Sequence, residues 1–498
     1  MNVLTEKKHI DGRKIWMRRI FAAALLISIS VSMPPGSVYA AEQAPAVQTP
    51  PANATPATQP AAATAPAQNP AASANAATAT QSAAATPSAQ TPAAPPATQQ
   101  PLTELPVIRI ITEDQKLPTC TKLLPPEEDL AGATITGNDY VSGVMAISGA
   151  GVQAGTYAMK FKVRGNTSAV DKEKKPYKIK LSEAADLFGR GTAYAEKEWV
   201  LLNSGTNLKT WLGFEVSRVV GMEWVPEMRF VTVEINGDRR GLYILTEPVQ
   251  KGNHRMPVSG GGVIFEDDAY WWNEDGYFKT STQPKILGYT FKYPEVGSCG
   301  DSAVLRTKSV MESIDRQIAL GRSGVYQSID TSSWARWIMA RDLLGQEDPY
   351  GSNIYFYRKS GSDKVRMGPL WDFDSSFIVK KDWSKAHVVE GLPFCKLFAM
   401  PDGKFTAEYG RVWIELMPTL EAALSAKMAV LQATQGSAID RARTQDQQRW
   451  GSNRVSLADE IRTDKALLHD QIVWMNGEIS RMIIPAGAEP QPPVSGHE

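Results

Sequence analysis

The amino-acid sequence predicts an α+β fold in which a β-rich N-terminal part is followed by a mainly helical C-terminal part. Between residues 105 and 181, short runs of β-branched residues are interrupted by Gly and Asn, which is typical of strands joined by tight turns. After Thr406, apolar residues recur at helical spacing as far as Met482. Strands grouped first and helices grouped afterwards favour the α+β class.

Local signals justify the individual elements in order. The predicted strands are 105–112, 133–147, 157–164, 177–181, 230–235, 242–246, 354–358 and a last one ending at 371. Asn236-Gly237 marks the clearest hairpin, because these residues tolerate the positive φ angles that tight hairpin turns require. Leu208–Val220 has helical spacing, and a helix over Ser332–Leu344 has Asp330, Thr331 or Ser332 as its predicted N-cap.

The first 40 residues have the three parts of a secretory signal peptide. A basic stretch ending at Arg19 precedes an apolar run from Ile20 to Met33, and Val38-Tyr39-Ala40 is a small-residue cleavage site. The alternative is a permanent anchor, but two prolines end the run before it reaches the roughly 20 apolar residues that a bilayer core requires. The sequence therefore predicts an exported protein, periplasmic, extracellular or cell-surface, with no transmembrane segment after signal cleavage.

Residues 41–104 are rich in Ala, Pro and Thr. Large apolar side chains are too few there to offset the entropy lost on ordering, so a disordered linker is predicted. The composition is compatible both with a spacer that reaches a cell wall or matrix and with a linker of no particular address. A folded domain is predicted over residues 105–485, with 105–163 as its β-rich opening segment and 486–498 as a tail.

Charge and cysteine content narrow the choice of partners. The chain has 53 Lys and Arg against 53 Asp and Glu, and no basic cluster with interleaved aromatic residues, which argues against nucleic acid as a partner. Cys120, Cys299 and Cys395 fit no zinc-binding spacing. In an oxidising compartment two of them could form a disulfide, but the spacing does not select the pair.

The stretch from Asp348 to Asp374 has the residue order of a phosphoryl-transfer site. Asp348 lies in a loop after a predicted helix, Asn353 follows five positions later, and a hairpin then leads to Asp372-Phe-Asp374. Protein kinases place a substrate-orienting Asp, a metal-binding Asn and a metal-binding Asp in this order. However, no His-Arg precedes Asp348, and spacing alone is equally compatible with a simple turn followed by carboxylates at a strand end.

Several phrases resemble, in order, those of the spore-coat-H (CotH-like) kinase family from about Leu105 to Met482. They are Arg164-Gly-Asn-Thr-Ser168, Lys174-Lys-Pro-Tyr-Lys-Ile-Lys180, Trp199-Val-Leu-Leu-Asn203, Phe230-Val-Thr-Val-Glu-Ile-Asn-Gly237, Gly241-Leu-Tyr-Ile-Leu-Thr-Glu247, Ser352-Asn-Ile-Tyr-Phe-Tyr357 and Gly368-Pro-Leu-Trp-Asp-Phe-Asp374. The resemblance implies an atypical protein-kinase-like fold over residues 105–485. It also implies an enzyme that uses ATP with Mg²⁺ or Mn²⁺ to phosphorylate Ser or Thr of secreted or surface proteins.

The resemblance assigns roles to residues that match the family's motifs. Asp348 looks like the catalytic loop Asp and Asn353 like the metal-binding Asn. Asp372, which is also placed in the catalytic set, and Asp374 look like the metal-binding pair. Two further positions match family residues near the phosphates: Arg164 and Asn166. For these two, an ordinary β-turn with a surface Arg is the alternative.

A nucleotide-binding Lys paired with a Glu is also expected, since a fixed cation near the phosphates offsets developing charge. Lys292 lies in a Lys-Tyr-Pro phrase that resembles one in bacterial members, and it is preferred to Lys178. Glu247 or Glu266 is the expected partner. A solvated charge on a strand is the commoner role for any single one of these residues.

Three functions compete at the level of sequence. A kinase is favoured because Asp348, Asn353, Asp372 and Asp374 are all present. The alternative is a non-catalytic surface, spore or envelope assembly protein that uses the same fold for binding, for which a degraded acid set is expected. A glycosidase with two carboxylates is the third, but no two carboxylates can be placed at the required separation from sequence. The source of ATP outside the cytoplasm is not encoded in the chain.

Overall fold

The computed structural model describes residues 101–130, 132–346, 353–377, 394–452 and 455–483. Its strands form a closed barrel, a five-stranded sheet and a short two-stranded pair, and helices dominate the C-terminal part. The predicted signal peptide, nearly all of the predicted linker and the predicted tail lie outside the described residues. The order of the described elements, mostly strands up to residue 293 and mostly helices after residue 302, confirms the predicted α+β class.

Seven strands close into a barrel. In chain order they are β1 (Val107–Thr112), β4 (Val141–Ser148), β5 (Gly155–Val163), β6 (Tyr177–Ala185), β7 (Glu196–Leu202), β8 (Met228–Ile235) and β9 (Asp238–Thr246). Around the barrel their order is β1-β4-β5-β6-β7-β9-β8, and the parallel pairing of β8 with β1 closes the ring. Alternate residues such as Phe161, Val163 and Ile179 fill the interior, as the two-residue period of a strand requires. A short pair, β2 (Thr121–Leu123) and β3 (Thr134–Thr136), stands apart from the barrel.

The predicted Asn-Gly hairpin joins β8 to β9. Asn236 and Gly237 have φ angles of 53° and 78°, the left-handed conformation that a two-residue hairpin turn requires. The second strand begins at Asp238, four residues earlier than predicted, because pairing continues past a register shift between Val233 and Glu234. The hairpin is thus confirmed and extended.

A second sheet has five antiparallel strands. They are β10 (Val263–Asp268), β11 (Tyr277–Phe278), β12 (Gly288–Tyr293), β13 (Ile354–Arg358) and β14 (Arg366–Met367), in the order β11-β12-β10-β13-β14. The last strand ends at Met367, four residues earlier than predicted. On one face, Phe265 stacks on Phe356 with ring centroids 5.2 Å apart. Because side chains alternate along β10, Glu266 faces the opposite side.

Eight α-helices lie within the described residues. They are α1 (Thr167–Asp171), α2 (Lys209–Val220), α3 (Ser302–Ala319), α4 (Val325–Ser328), α5 (Thr331–Leu343), α6 (Phe394–Phe398), α7 (Lys404–Trp450) and α8 (Leu457–Ile483). The carboxylate of Asp330 accepts a hydrogen bond from the Ser333 N–H at 2.9 Å, so Asp330 is the N-cap of α5. None of the described helices combines the length and the apolar character needed to cross a bilayer. No disulfide joins Cys120, Cys299 and Cys395.

A buried ion pair joins the barrel to the long helix α7. Lys174 Nζ lies 2.7 Å from Asp446 Oδ1, and both side chains are less than one-tenth exposed. The same Lys174 ammonium donates to the Leu242 carbonyl, and the Leu242 N–H donates to Asp446 Oδ1 at 2.9 Å. A Cβ at Gly241 would lie 2.3 Å from that carboxylate oxygen, so the approach requires glycine. Lys174, in the Lys-Lys-Pro-Tyr phrase, therefore has a structural role.

Candidate active site

The structure brings Asn353 and Asp372 together. Asn353 directly precedes β13, and Asp372 lies in the loop after β14. Asn353 Nδ2 donates to Asp372 Oδ2 at 3.3 Å. Both residues have positive φ, 80° and 58°, a conformation that Asn and Asp adopt more readily than most other residues. Asp348 and the rest of the loop from 347 to 352 lie outside the described residues.

Two aromatic side chains anchor the Asp-Phe-Asp loop. Trp371 and Phe373 are buried, whereas the intervening Asp372 and the following Asp374 are exposed. The Phe373 ring packs edge-on against Phe214 of α2, with centroids 5.3 Å apart. Consequently the two carboxylates project away from the core and remain accessible to a ligand.

Helix α2 also fixes the backbone of this loop. Lys209 Nζ donates to the Asp374 carbonyl at 2.7 Å. One turn later Gly213 lies directly beneath the Phe373 ring, and a Cβ there would be 2.2 Å from its Cδ1 atom. Only glycine allows helix and ring to approach this closely, so Gly213 determines where the Asp-Phe-Asp loop sits.

We expect Gly213→Ala to displace Phe373 and with it Asp372. A misplacement of about 1 Å at a reacting group can lower activity about 100-fold, so a loss of roughly 10- to 100-fold in the phosphoryl-transfer activity that the sequence predicts is expected. Gly410→Ala is the matched control, since a Cβ at Gly410 of α7 would lie 2.4 Å from the Ile483 side chain, away from this loop. Equal activity in the two variants at equal thermal stability would contradict the positioning role.

Glu266 connects a lysine to the same site. Its Oε2 lies 2.8 Å from Lys292 Nζ, and its Oε1 accepts a hydrogen bond from the Asn353 N–H. Glu266 is buried on β10, and Lys292 lies on the neighbouring strand β12. Removal from water lowers the pKa of Lys292, but the Glu266 carboxylate outweighs this and the net shift is upward. Lys292 is therefore a cation held in place beside Asn353.

Arg164 adds a second cation. It follows β5 and is half-buried, and its guanidinium carbon lies 6.0 Å from the centroid of the Trp371 ring. Removal from water lowers the Arg164 pKa, and the nearby Tyr355, Asp372 and Glu266 offset only part of this shift. Within the part of the chain that the structure describes, its guanidinium has no hydrogen-bond or ion-pair partner. A half-buried cation without a partner is suited to an anionic ligand.

The other predicted nucleotide-binding residues lie in different surroundings. Asn166 Oδ1 accepts a hydrogen bond from Thr134 Oγ1 at 2.6 Å, which ties the turn after Arg164 to β3. Glu247 is buried and pairs with Arg190 at 2.8 Å, so the structure places it in another cluster and not beside Lys292. Lys178 pairs with Glu198 at 2.8 Å on the outer surface of the barrel.

Two residues that sequence reasoning missed line the pocket beside Asp372. Gln346 Nε2 donates to the Asp372 carbonyl at 2.7 Å, and Arg341 Nη2 donates to the Gln346 carbonyl at 3.2 Å. Trp337, four residues before Arg341 on α5, lines the same pocket. The available signal is this helical spacing, which places an Arg on the last turn before the predicted catalytic loop.

The described part of the site offers few carboxylates that could bind a metal ion. Among the described residues, no group of three or more His, Cys, Asp or Glu side chains lies close enough to bind a metal ion. Asn353 and Asp372 are adjacent, and Asp374 is the second exposed acid of its loop. The contact that the structure shows within this set is the hydrogen bond between Asn353 and Asp372.

Comparison with known proteins assigns the family. The family described as CotH kinase protein matches residues 161–455, more than half of the chain. No curated protein matches. The structure is similar to the Helicobacter pylori proinflammatory kinase CtkA, with 10% identity and a TM-score of 0.25, covering 56% of this chain and 92% of that one.

A second similar structure is a chain of the Shewanella oneidensis MR-1 toxin–antitoxin complex of HipA, HipB and operator DNA. Identity is 13% and the TM-score is 0.26, covering 61% of this chain and 65% of that one. TM-scores this low do not establish a shared fold, whereas the family match extends over strands β6 to β9 of the barrel, the second sheet and the Asp-Phe-Asp loop. The chain therefore belongs to the CotH kinase protein family.

Proposed function

We propose that this protein is an exported kinase with an atypical protein-kinase-like arrangement, which transfers the γ-phosphoryl group of ATP to Ser or Thr of secreted or surface proteins. One observation supports this best. Acidic and amide side chains suited to a metal, Asp372 and Asn353, lie beside two cations suited to phosphates, Lys292 and Arg164. Membership of the CotH kinase family supports the same reaction class.

The residues present fit a hard divalent cation. Asp372 and Asp374 offer exposed carboxylates, and the Asn353 amide lies beside Asp372, where rotation of the amide would turn its oxygen toward a bound metal. Mg²⁺ prefers such oxygen ligands and keeps water or phosphate oxygens in its remaining positions. When bound, a metal held by these residues would supply positive charge that neutralises the charge developing during transfer.

The other residues would orient the reactants. Lys292 is held by Glu266 at 2.8 Å, so its charge is positioned before a nucleotide arrives. Arg164 can bind two phosphate oxygens with its planar guanidinium. Asp348, whose role rests on the family motif, would accept a hydrogen bond from the incoming Ser or Thr hydroxyl and so point it at the phosphorus. Without a metal, the exposed carboxylates of Asp372 and Asp374 would repel the phosphates, which makes ATP binding metal-dependent in this scheme.

The proposal is tested by calorimetric titration of the mature protein with ATP, with and without Mg²⁺ or Mn²⁺, followed by a phosphoryl-transfer assay on secreted proteins. Binding only in the presence of metal, with label appearing on Ser or Thr, is expected. A folded protein that binds no ATP with either metal would overturn the kinase and favour the assembly role.

Within this scheme, we expect Lys292→Ala to weaken metal–ATP binding more than Lys178→Ala. The reason is that Lys292 is linked through Glu266 to Asn353, whereas Lys178 pairs with Glu198 on the barrel surface. Loss of one charge-assisted phosphate contact corresponds to roughly 1.5–3 kcal/mol, or about 10- to 150-fold in affinity. Nucleotide titration of both folded variants measures this. A larger loss in Lys178→Ala would show that the wrong lysine has been chosen.

A further inference from the structure

Four lysines face one another on the outer surface of the barrel. Lys160 and Lys162 lie on β5, and the pairing register places Lys180 and Lys178 directly opposite them on β6. We call these four residues the lysine ladder. Like charges directly opposite each other on neighbouring strands destabilise a sheet. Two such pairs in succession are a local cost to the fold.

Neighbouring groups compensate this charge only in part. Glu198 on β7 lies 2.8 Å from Lys178 and 3.8 Å from Lys180, and one carboxylate therefore serves two lysines. The other two lysines lie over the Tyr140 ring, 4.9 and 5.1 Å from its centroid. Burial and then the like charge of Lys178 lower the pKa of Lys162, against weaker opposition from Asp139 and Glu198. The lysine ladder is thus a positively charged surface.

The lysine ladder points toward the candidate active site. Lys160 and Lys162 lie on the same face of β5, and Arg164, the first residue after the strand, follows at the next alternate position while its N–H still bonds the Pro176 carbonyl, so Arg164 continues the row of cations. Arg164 in turn lies near Asp372 and Trp371. At about 3.3 Å per residue, the row extends about 13 Å from Arg164 to Lys160. It therefore forms a positively charged track that ends where the phosphoryl group would be transferred.

We infer that the lysine ladder binds acidic residues of the protein substrate that flank the phosphoacceptor Ser or Thr. This inference rests on the proposed kinase function and adds a substrate class to it. An extended peptide presents alternate side chains about 6.6 Å apart, which is also the spacing of alternate residues along β5. Carboxylates at alternate positions can therefore meet successive lysines while the acceptor hydroxyl reaches the site beyond Arg164.

The test measures peptide binding without phosphoryl transfer. Fluorescently labelled Ser peptides with acidic, neutral or basic flanks are titrated with the mature protein, and with a Lys160→Glu/Lys180→Glu variant, in which the two substituted residues are those farthest from Arg164. We expect the acidic peptide to bind most tightly of the three. Added salt should lower its affinity, and the variant should bind it roughly tenfold more weakly than the unaltered protein does. The matched control is Lys308→Glu/Arg316→Glu on α3, which changes net charge equally and is expected to bind the acidic peptide normally.

The possible outcomes distinguish a failure of the acidic-substrate inference from a failure of the proposed kinase function. Equal binding of acidic and neutral peptides, or unchanged acidic-peptide affinity in the ladder variant, overturns the inference. Loss of metal–ATP affinity in the ladder variant, with peptide binding retained, also overturns it and assigns the lysines to nucleotide phosphates. The protein could instead bind the acidic peptide through the lysine ladder and transfer no phosphate. That result would overturn the proposed kinase function and still support the lysine ladder as a surface that binds acidic ligands.

Discussion

Asp372→Asn is expected to abolish metal-dependent nucleotide binding together with phosphoryl transfer. The substitution replaces a charged metal ligand by a neutral one, and without the metal the ATP phosphates are repelled by the acids that remain. Asp372 is the carboxylate that lies beside Asn353, and its backbone is held by Gln346, so the variant keeps its position while losing its charge. We expect a decrease of about 100- to 1000-fold in activity, the scale on which a single electrostatic stabilising group acts.

Asp348→Asn should fail differently. Its family-assigned role concerns the incoming hydroxyl, so ATP and metal should bind almost normally while transfer collapses. Calorimetry and autophosphorylation, measured on both variants, decide between the two roles. Equal loss of binding would make Asp348 a metal ligand, and full activity in both would remove the kinase assignment of these motifs. Asp363→Asn, on the turn between β13 and β14, is a control in which a similar change is made outside the site.

Lys174→Met is expected to cause the largest loss of stability. The substitution leaves Asp446 buried without its cation, and breaking a buried ion pair from one side costs about 3–5 kcal/mol. Asp446 also accepts the Leu242 N–H, so a shift of its carboxylate would loosen helix α7 from the barrel. Urea denaturation of the mature protein measures the free energy of unfolding.

The double variant Lys174→Met/Asp446→Leu tests whether the loss of stability comes from leaving the Asp446 carboxylate buried without its cation. With both charges removed, apolar packing can replace the ion pair, and most of the lost stability should return. A single variant that costs less than about 1 kcal/mol would show that the pair contributes no more than an exposed one. Metal–ATP binding, measured on folded protein, should be retained in the double variant because neither residue touches the candidate site.

Features of the fold that depend on neighbouring residues could be predicted from the sequence. The Asn236-Gly237 turn, helix α2 and an N-cap within 330–332 follow from turn chemistry, helical spacing and capping, all of which act over a few residues, whereas the hydrogen bond to Ser333 N–H selects Asp330 as the cap. The order of Asn353 and Asp372 around a hairpin is likewise local, which is why the motif indicates a metal site before any tertiary contact is known. The boundaries of strands near register shifts depend on the partner strand, which is remote in sequence, and they are therefore predicted less well.

Contacts between residues that are remote in sequence were decided by tertiary structure, mainly by the pairing of strands. The sequence leaves Glu247 and Glu266 as equal partners for Lys292, and only the pairing of β10 with β12 brings Glu266 to 2.8 Å from that lysine. The opposition of lysines on β5 and β6 depends on register, because a shift of one residue would turn alternate side chains to the other face. Helix α2 approaches Phe373 across 160 positions of sequence, so the need for glycine at 213 carries no local signal. The sequence by itself thus determined which chemical groups are available, and tertiary structure determined which of them meet, because their contacts join segments that are remote along the chain.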